Sequence, residues 1–144
     1  ERTDVIVDIT GYFAPDDGVK GLYYFPLTPC RVSNTSDAGF GSGPIFADTT
    51  TRSVPISGGR CSGIPQSAKA FAMNAVVMPG GTPMPFLTVW PTGQPQPNAS
   101  VINAFEGQVV SSGFIVPSGN SGSIDVYAYR STHVAMEVSG YFDR

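Results

Sequence analysis

Two thiols and one imidazole, Cys30, Cys61 and His133, are the groups in this sequence best suited to metal or redox chemistry. Redox and structural zinc pairs commonly use a Cys-x-x-Cys spacing, and here the cysteines are 31 residues apart. Both sit in turn-forming sequence, Pro29-Cys30-Arg31 and Gly58-Gly59-Arg60-Cys61. A structural disulfide is the favoured reading; a metal or redox pair is the alternative, with His133 able to add only one ligand. Closing such a loop would stabilise the fold by roughly 3–4 kcal/mol in the chain-entropy model. It would also place the protein in an oxidising compartment.

The adjacent carboxylates Asp16 and Asp17 could in principle serve glycoside hydrolysis or bind Ca²⁺. They lie between Pro15 and Gly18, where aspartate is turn chemistry first. No cofactor is therefore expected, and Ca²⁺ is the one candidate ion. The sequence has no Gly-x-Ser-x-Gly elbow, His-Glu-x-x-His pair or phosphate-cradling glycine loop. An enzyme is not expected, and no catalytic residue or metal ligand is assigned. Tyr23, Tyr24, Trp90, Tyr127 and Tyr129 could offer flat faces to sugar rings, although ordinary packing is the preferred reading. Asn34-Thr35-Ser36 and Asn98-Ala99-Ser100 match the acceptor pattern for glycan attachment, making Asn34 and Asn98 candidates.

Charge narrows the partners. Only 13% of the 144 residues are charged, against about 25% in an average soluble protein. The formal net charge is −3, and the eight Lys and Arg are scattered. Phosphate-backbone binding relies on clustered cations, so nucleic acid is not an expected partner. No apolar run approaches the roughly 20 residues of a membrane-spanning helix. No charged segment leading into an apolar one opens the sequence; an exported form would have lost its signal peptide or carry it elsewhere.

The elements that must position these groups are strands. The 17 Gly and 13 Pro are spread throughout, and each costs a helix interior about 1 or 3 kcal/mol. Short β-branched and aromatic runs lie between them, the pattern of an all-β sandwich of the jelly-roll or Ig-like kind with about nine mostly antiparallel strands. Strands are expected over 3–13, 21–27, 45–56, 68–78, 86–90, 100–105, 109–117, 124–129 and 133–142. Residues 28–43 read as a loop. The 45–56 strand reads as a polar edge, 68–78 as a central strand covered on both faces, and 109–117 with 124–129 as a hairpin.

One strand occurs twice. Thr3, Val5, Gly11, Tyr12 and Phe13 return as Thr132, Val134, Gly140, Tyr141 and Phe142, at a constant offset: 142 minus 13 is 129. Asp8, Ile9 and Thr10 return as Glu137, Val138 and Ser139, and Asp4 as His133. A position that accepts Asp or His reads as exposed rather than catalytic. In both copies a two-residue alternation separates an apolar face (Val5, Val7, Ile9; Val134, Met136, Val138) from a polar one. A copy at this separation is what one period of a repeating array looks like, or a subunit that lends a strand to its neighbour.

Four motifs stand out: Pro26-Leu27-Thr28-Pro29-Cys30-Arg31-Val32, Gly59-Arg60-Cys61-Ser62-Gly63-Ile64-Pro65, Ala68-Lys69-Ala70 and the closing Val138-Ser139-Gly140-Tyr141-Phe142. Together, with weaker matches at 87–91 and 115–117, they resemble a family of tandem repeats in large secreted or cell-surface bacterial proteins. The resemblance implies export, paired cysteines, a β-rich module and no established catalysis. It departs at Asn34-Thr35-Ser36, where such repeats commonly carry Asp-Thr-Arg.

The expected organisation is a linking strand over 1–14 and a sandwich over 15–144. The expected function is structural: an extracellular or cell-surface module that joins copies of itself end to end by β-strand addition. Val5, Ile6, Val7, Ile9, Tyr12 and Phe13 would form the inter-subunit strand. Three arrangements are open to it: crossing into a neighbouring subunit, closing a preceding covalent repeat, or taking a second position in its own domain. Crossing ranks first, because the sequence opens almost where the strand does. The alternative function is a carbohydrate-binding or adhesive module, with surface glycans as partners.

Overall fold

The computed structural model describes Val5, residues 7–9, residues 11–15, Gly18 and residues 21–144. Among them lie eight strands: β1 (Tyr23–Asn34), β2 (Thr50–Pro55), β3 (Ala70–Met78), β4 (Met84–Pro91), β5 (Ile102–Ala104), β6 (Val110–Pro117), β7 (Ser123–Ala128) and β8 (His133–Asp143). They make two four-stranded sheets, ordered β1-β8-β3-β6 and β2-β7-β4-β5, and each strand pair is antiparallel. Pairing β1 with β8, β2 with β7, β3 with β6 and β4 with β5 amounts to one long hairpin rolled up, the jelly-roll form of the sandwich.

Alternation makes the core. Phe71, Met73, Ala75 and Val77 of β3 and Val134, Met136 and Val138 of β8 point inward. They meet Leu87 and Val89 of β4 and Ile124, Val126 and Ala128 of β7 from the facing sheet. At about 25 cal/mol per Å² of buried apolar surface, each large side chain contributes about 1.5–3 kcal/mol.

Four sequence expectations are corrected. The described residues of the strand expected over 3–13 carry no strand assignment, and Val5, Val7, Ile9, Tyr12 and Phe13 are 75%, 78%, 88%, 90% and 81% exposed. The physical reason lies in β8, which repeats the same pattern and already fills the matching position. The stretch from 28 to Asn34, expected as loop, continues β1. As a sheet edge, β1 tolerates Pro26 and Pro29, and its register shifts between Pro26 and Cys30. Strands β6 and β7 are not a hairpin: β6 pairs with β3, while β7 pairs with β2 and β4. The turn between them crosses from one sheet to the other, held where the Ile56 and Ser57 amides donate to Gly122 O and the Asn120 amide donates to Thr92 O. Strand β3 is central, but only one of its faces is fully buried.

Cys30 and Cys61 form a disulfide, with Cα atoms 6.0 Å apart. It ties the bulged part of β1 to the loop between β2 and β3. The same loop is held by Ser57 Oγ donating to Pro65 O and by Arg60, which donates to Phe40 O and covers the Phe40 ring at 4.0 Å. Replacing both cysteines by alanine is expected to lower stability by roughly 3–4 kcal/mol, read as a lower urea midpoint; an unchanged midpoint would show that the crosslink does not restrain the unfolded chain.

Candidate functional site

Strand β8 is the central strand between β1 and β3, and nearly every residue along it has a partner. Thr132, fully buried just ahead of it, accepts the Met78 amide at 3.1 Å and donates to His133 O. The Val134 amide donates to Thr35 Oγ1 at 2.9 Å. On the outer face Glu137 pairs with Arg31 at 2.6 Å. Val138 is fully buried opposite Cys30. Gly140 lies beneath Tyr24, and a Cβ there would overlap the tyrosine ring. The Tyr24 hydroxyl donates to Ser139 O. Tyr141 stacks on Phe25, and Phe142 tilts against Tyr24, both at 5.1 Å between ring centroids.

The described counterparts in the leading segment stand without these partners. Gly11, the counterpart of Gly140, has nothing within 4 Å of a would-be Cβ. Phe13 is the one described residue of the expected linking strand with a ring contact, 6.1 Å from Phe142. That contact lies at the pole where β8 ends and β1 starts, since Tyr23 is opposite Asp143. Ile6 of the expected linking strand lies outside the described residues, as do Asp4 and the Asp16–Asp17 pair considered for Ca²⁺.

The remaining candidates are dispersed. His133 is half-buried, with Nδ1 3.3 Å from Thr35 Oγ1, so its position is less exposed than its Asp4 counterpart suggests. Among the described residues no group of three or more His, Cys, Asp or Glu is placed to hold a metal ion. Asn34 is buried, and its Oδ1 accepts from the Ser36 amide and hydroxyl, a local turn; Asn98 is exposed. The five aromatics do not meet. Tyr23 and Tyr24 are on β1 of one sheet, Tyr127 and Tyr129 lie on or just after β7 of the other, and Trp90 is buried with Nε1 donating to Gln94 O. Phe86, missed in the sequence reading, joins Tyr127 at 5.8 Å and Tyr129 at 4.9 Å. Its signal was alternation: Leu87 and Val89 point inward, which turns Phe86 out.

Two carboxylates fasten the ends of this architecture. Arg130 donates to Asp48 at 2.8 Å and the Ser131 amide at 2.7 Å. These bonds hold the Asp48 carboxyl below its ordinary value, the Arg130 bond first, and tie the approach to β2 to the β7–β8 connection. At the end of β8, the Ser67 hydroxyl and then the Arg144 amide lower Asp143 in the same way.

The chain matches no protein-family model and no curated protein. Class therefore rests on the fold: an all-β, disulfide-linked jelly-roll sandwich. Among the described residues no helix is long and apolar enough to cross a membrane.

Because Asp48 titrates lower in the folded than in the unfolded state, its contribution is in place above the unfolded value of 3.8 and is lost as pH falls through the folded one. The difference in denaturation midpoint between wild type and Asp48→Asn should be constant near neutrality and shrink on acidification below that value. A difference that grows in acid would contradict the assignment.

Proposed function

We propose that this chain is a structural module of an extracellular array, joined to a neighbouring sandwich through its leading segment. The observation that carries the reading is a mismatch. Residues 3–13 repeat β8, yet their described side chains stand exposed while the β8 position is filled from within the chain. A strand with an apolar face of Val5, Val7 and Ile9 gains several kcal/mol by burying it and still needs partners for its backbone N–H and C=O groups. A neighbouring sheet supplies both. The disulfide, the low charge and the resemblance to secreted bacterial repeats support a location outside the cell.

A glycan-binding role is the second reading, favoured by the Phe86, Tyr127 and Tyr129 cluster. Its rings lie at the outer face of the second sheet, beside Asp125, which accepts from the Ser53 and Thr92 hydroxyls. Aromatic faces next to hydrogen-bonding groups suit sugar rings.

The two readings separate on removal of residues 1–13. The intact protein should form extended assemblies under the electron microscope, and the shortened one should stay monomeric with an unchanged far-ultraviolet spectrum. Val7→Asp in the full chain should act like the deletion, because an unpaired inward charge is costly to bury. Equal assembly by all three would overturn the array reading; binding of the monomer to neutral polysaccharide, lost in Tyr127→Ala, would install the glycan reading in its place.

A further inference from the structure

We infer that residues 3–13 are a second eighth strand: they fit the β8 position, between β1 and β3 of this sandwich design, in the register of residues 132–142. The inference rests on the array reading and specifies where the segment binds.

The matching residues are those with a task specific to β8. Thr132 is the buried acceptor of the Met78 amide, and the leading segment has Thr3. Val134 and Val138 fill the core, and the segment has Val5 and Ile9. Glu137 meets Arg31, and the segment has Asp8. Gly140 makes room for Tyr24, and the segment has Gly11, a residue with no steric reason to be glycine where it now stands. Tyr141 stacks on Phe25 and Phe142 tilts against Tyr24, and the segment has Tyr12 and Phe13. A segment destined for a sheet edge needs alternation, not this set.

The edges themselves are poor acceptors. β1 carries Pro26, Pro29 and a bulge; β2 ends on Pro55 and β6 on Pro117; β5 spans three residues. Short, bulged or proline-bearing edges resist strand addition. The direction also fits. A segment in the β8 position would run toward the pole where β8 ends, and Phe13 already touches Phe142 there. Residues 14–22 would then turn back into β1 at Tyr23, so the segment, by displacing β8 from its position, can close the sheet of its own chain or that of a second copy.

Stoichiometry points to successive units. The offset between the two copies is 129 residues, and a period of that length has one β8 position and one strand that fits it. In an array of such periods, residues 3–13 close a neighbouring sandwich.

The test disables β8 in the full chain. Val138→Asp places a charge at a fully buried site, and Val134→Asp, a second and independent way, does so at a site 1% exposed. With the leading segment intact, both variants should keep a cooperative unfolding transition, as monomers if the segment closes its own sheet or as oligomers if it closes another's. Adding Ile9→Asp, at the counterpart of Val138, should abolish that transition, whereas Ile9→Asp alone should leave the wild-type midpoint unmoved, because Ile9 is exposed. Loss of folding in both β8 variants despite the intact segment, or indifference of both to Ile9→Asp, would overturn the inference. If residues 1–13 were still required for assembly, the array reading would survive and the segment would bind elsewhere.

Discussion

The rest of the structure depends on the occupation of one position: the gap between β1 and β3. A central strand satisfies backbone groups on both sides and buries one face, so its absence would split the first sheet into a lone β1 and a β3–β6 pair. Two-stranded ribbons are marginal in water. The strand that fills the gap connects the termini of the fold, since β8 pairs with the first strand and with the middle of the chain. The disulfide works on the same constraint from outside: Cys30 lies opposite Val138, so the crosslink holds the wall against which β8 packs.

Much of this fold was legible in the sequence, for a definite reason. Inward and outward residues alternate cleanly in β3 and β7, and in β8 with the one exception of buried Ala135, and that alternation is a local property. The cysteine pairing was legible because few alternatives existed. What escaped was non-local. That β6 and β7 lie in different sheets depends on a turn held by residues far along the chain, Thr92, Ile56 and Ser57. That β1 runs on through Pro29 depends on its being an edge, which only the complete sheet decides. Phe86 joins Tyr127 and Tyr129 because β4 lies beside β7, a pairing that no local pattern encodes.

The leading segment is the instructive case. Its pattern says strand, and the pattern is sound; what the chain lacks is a vacancy for it. Propensity and alternation describe what a segment can become, while hydrogen-bonding partners decide whether it does. Here two segments compete for one position, and the C-terminal copy holds it. The repeat, not its local pattern alone, is what sets residues 3–13 apart and underlies the array proposal.

Amide hydrogen exchange through residues 5–13 of the assembled protein tests the central claim most directly. A strand bonded on one side has alternate amides exposed, whereas a strand bonded on both sides has every amide protected. Consecutive amides from Val5 to Phe13 should be protected to an extent comparable with those of β3. Protection of every second residue would place the segment on an edge, and free exchange throughout would show that it joins nothing; either would contradict the account.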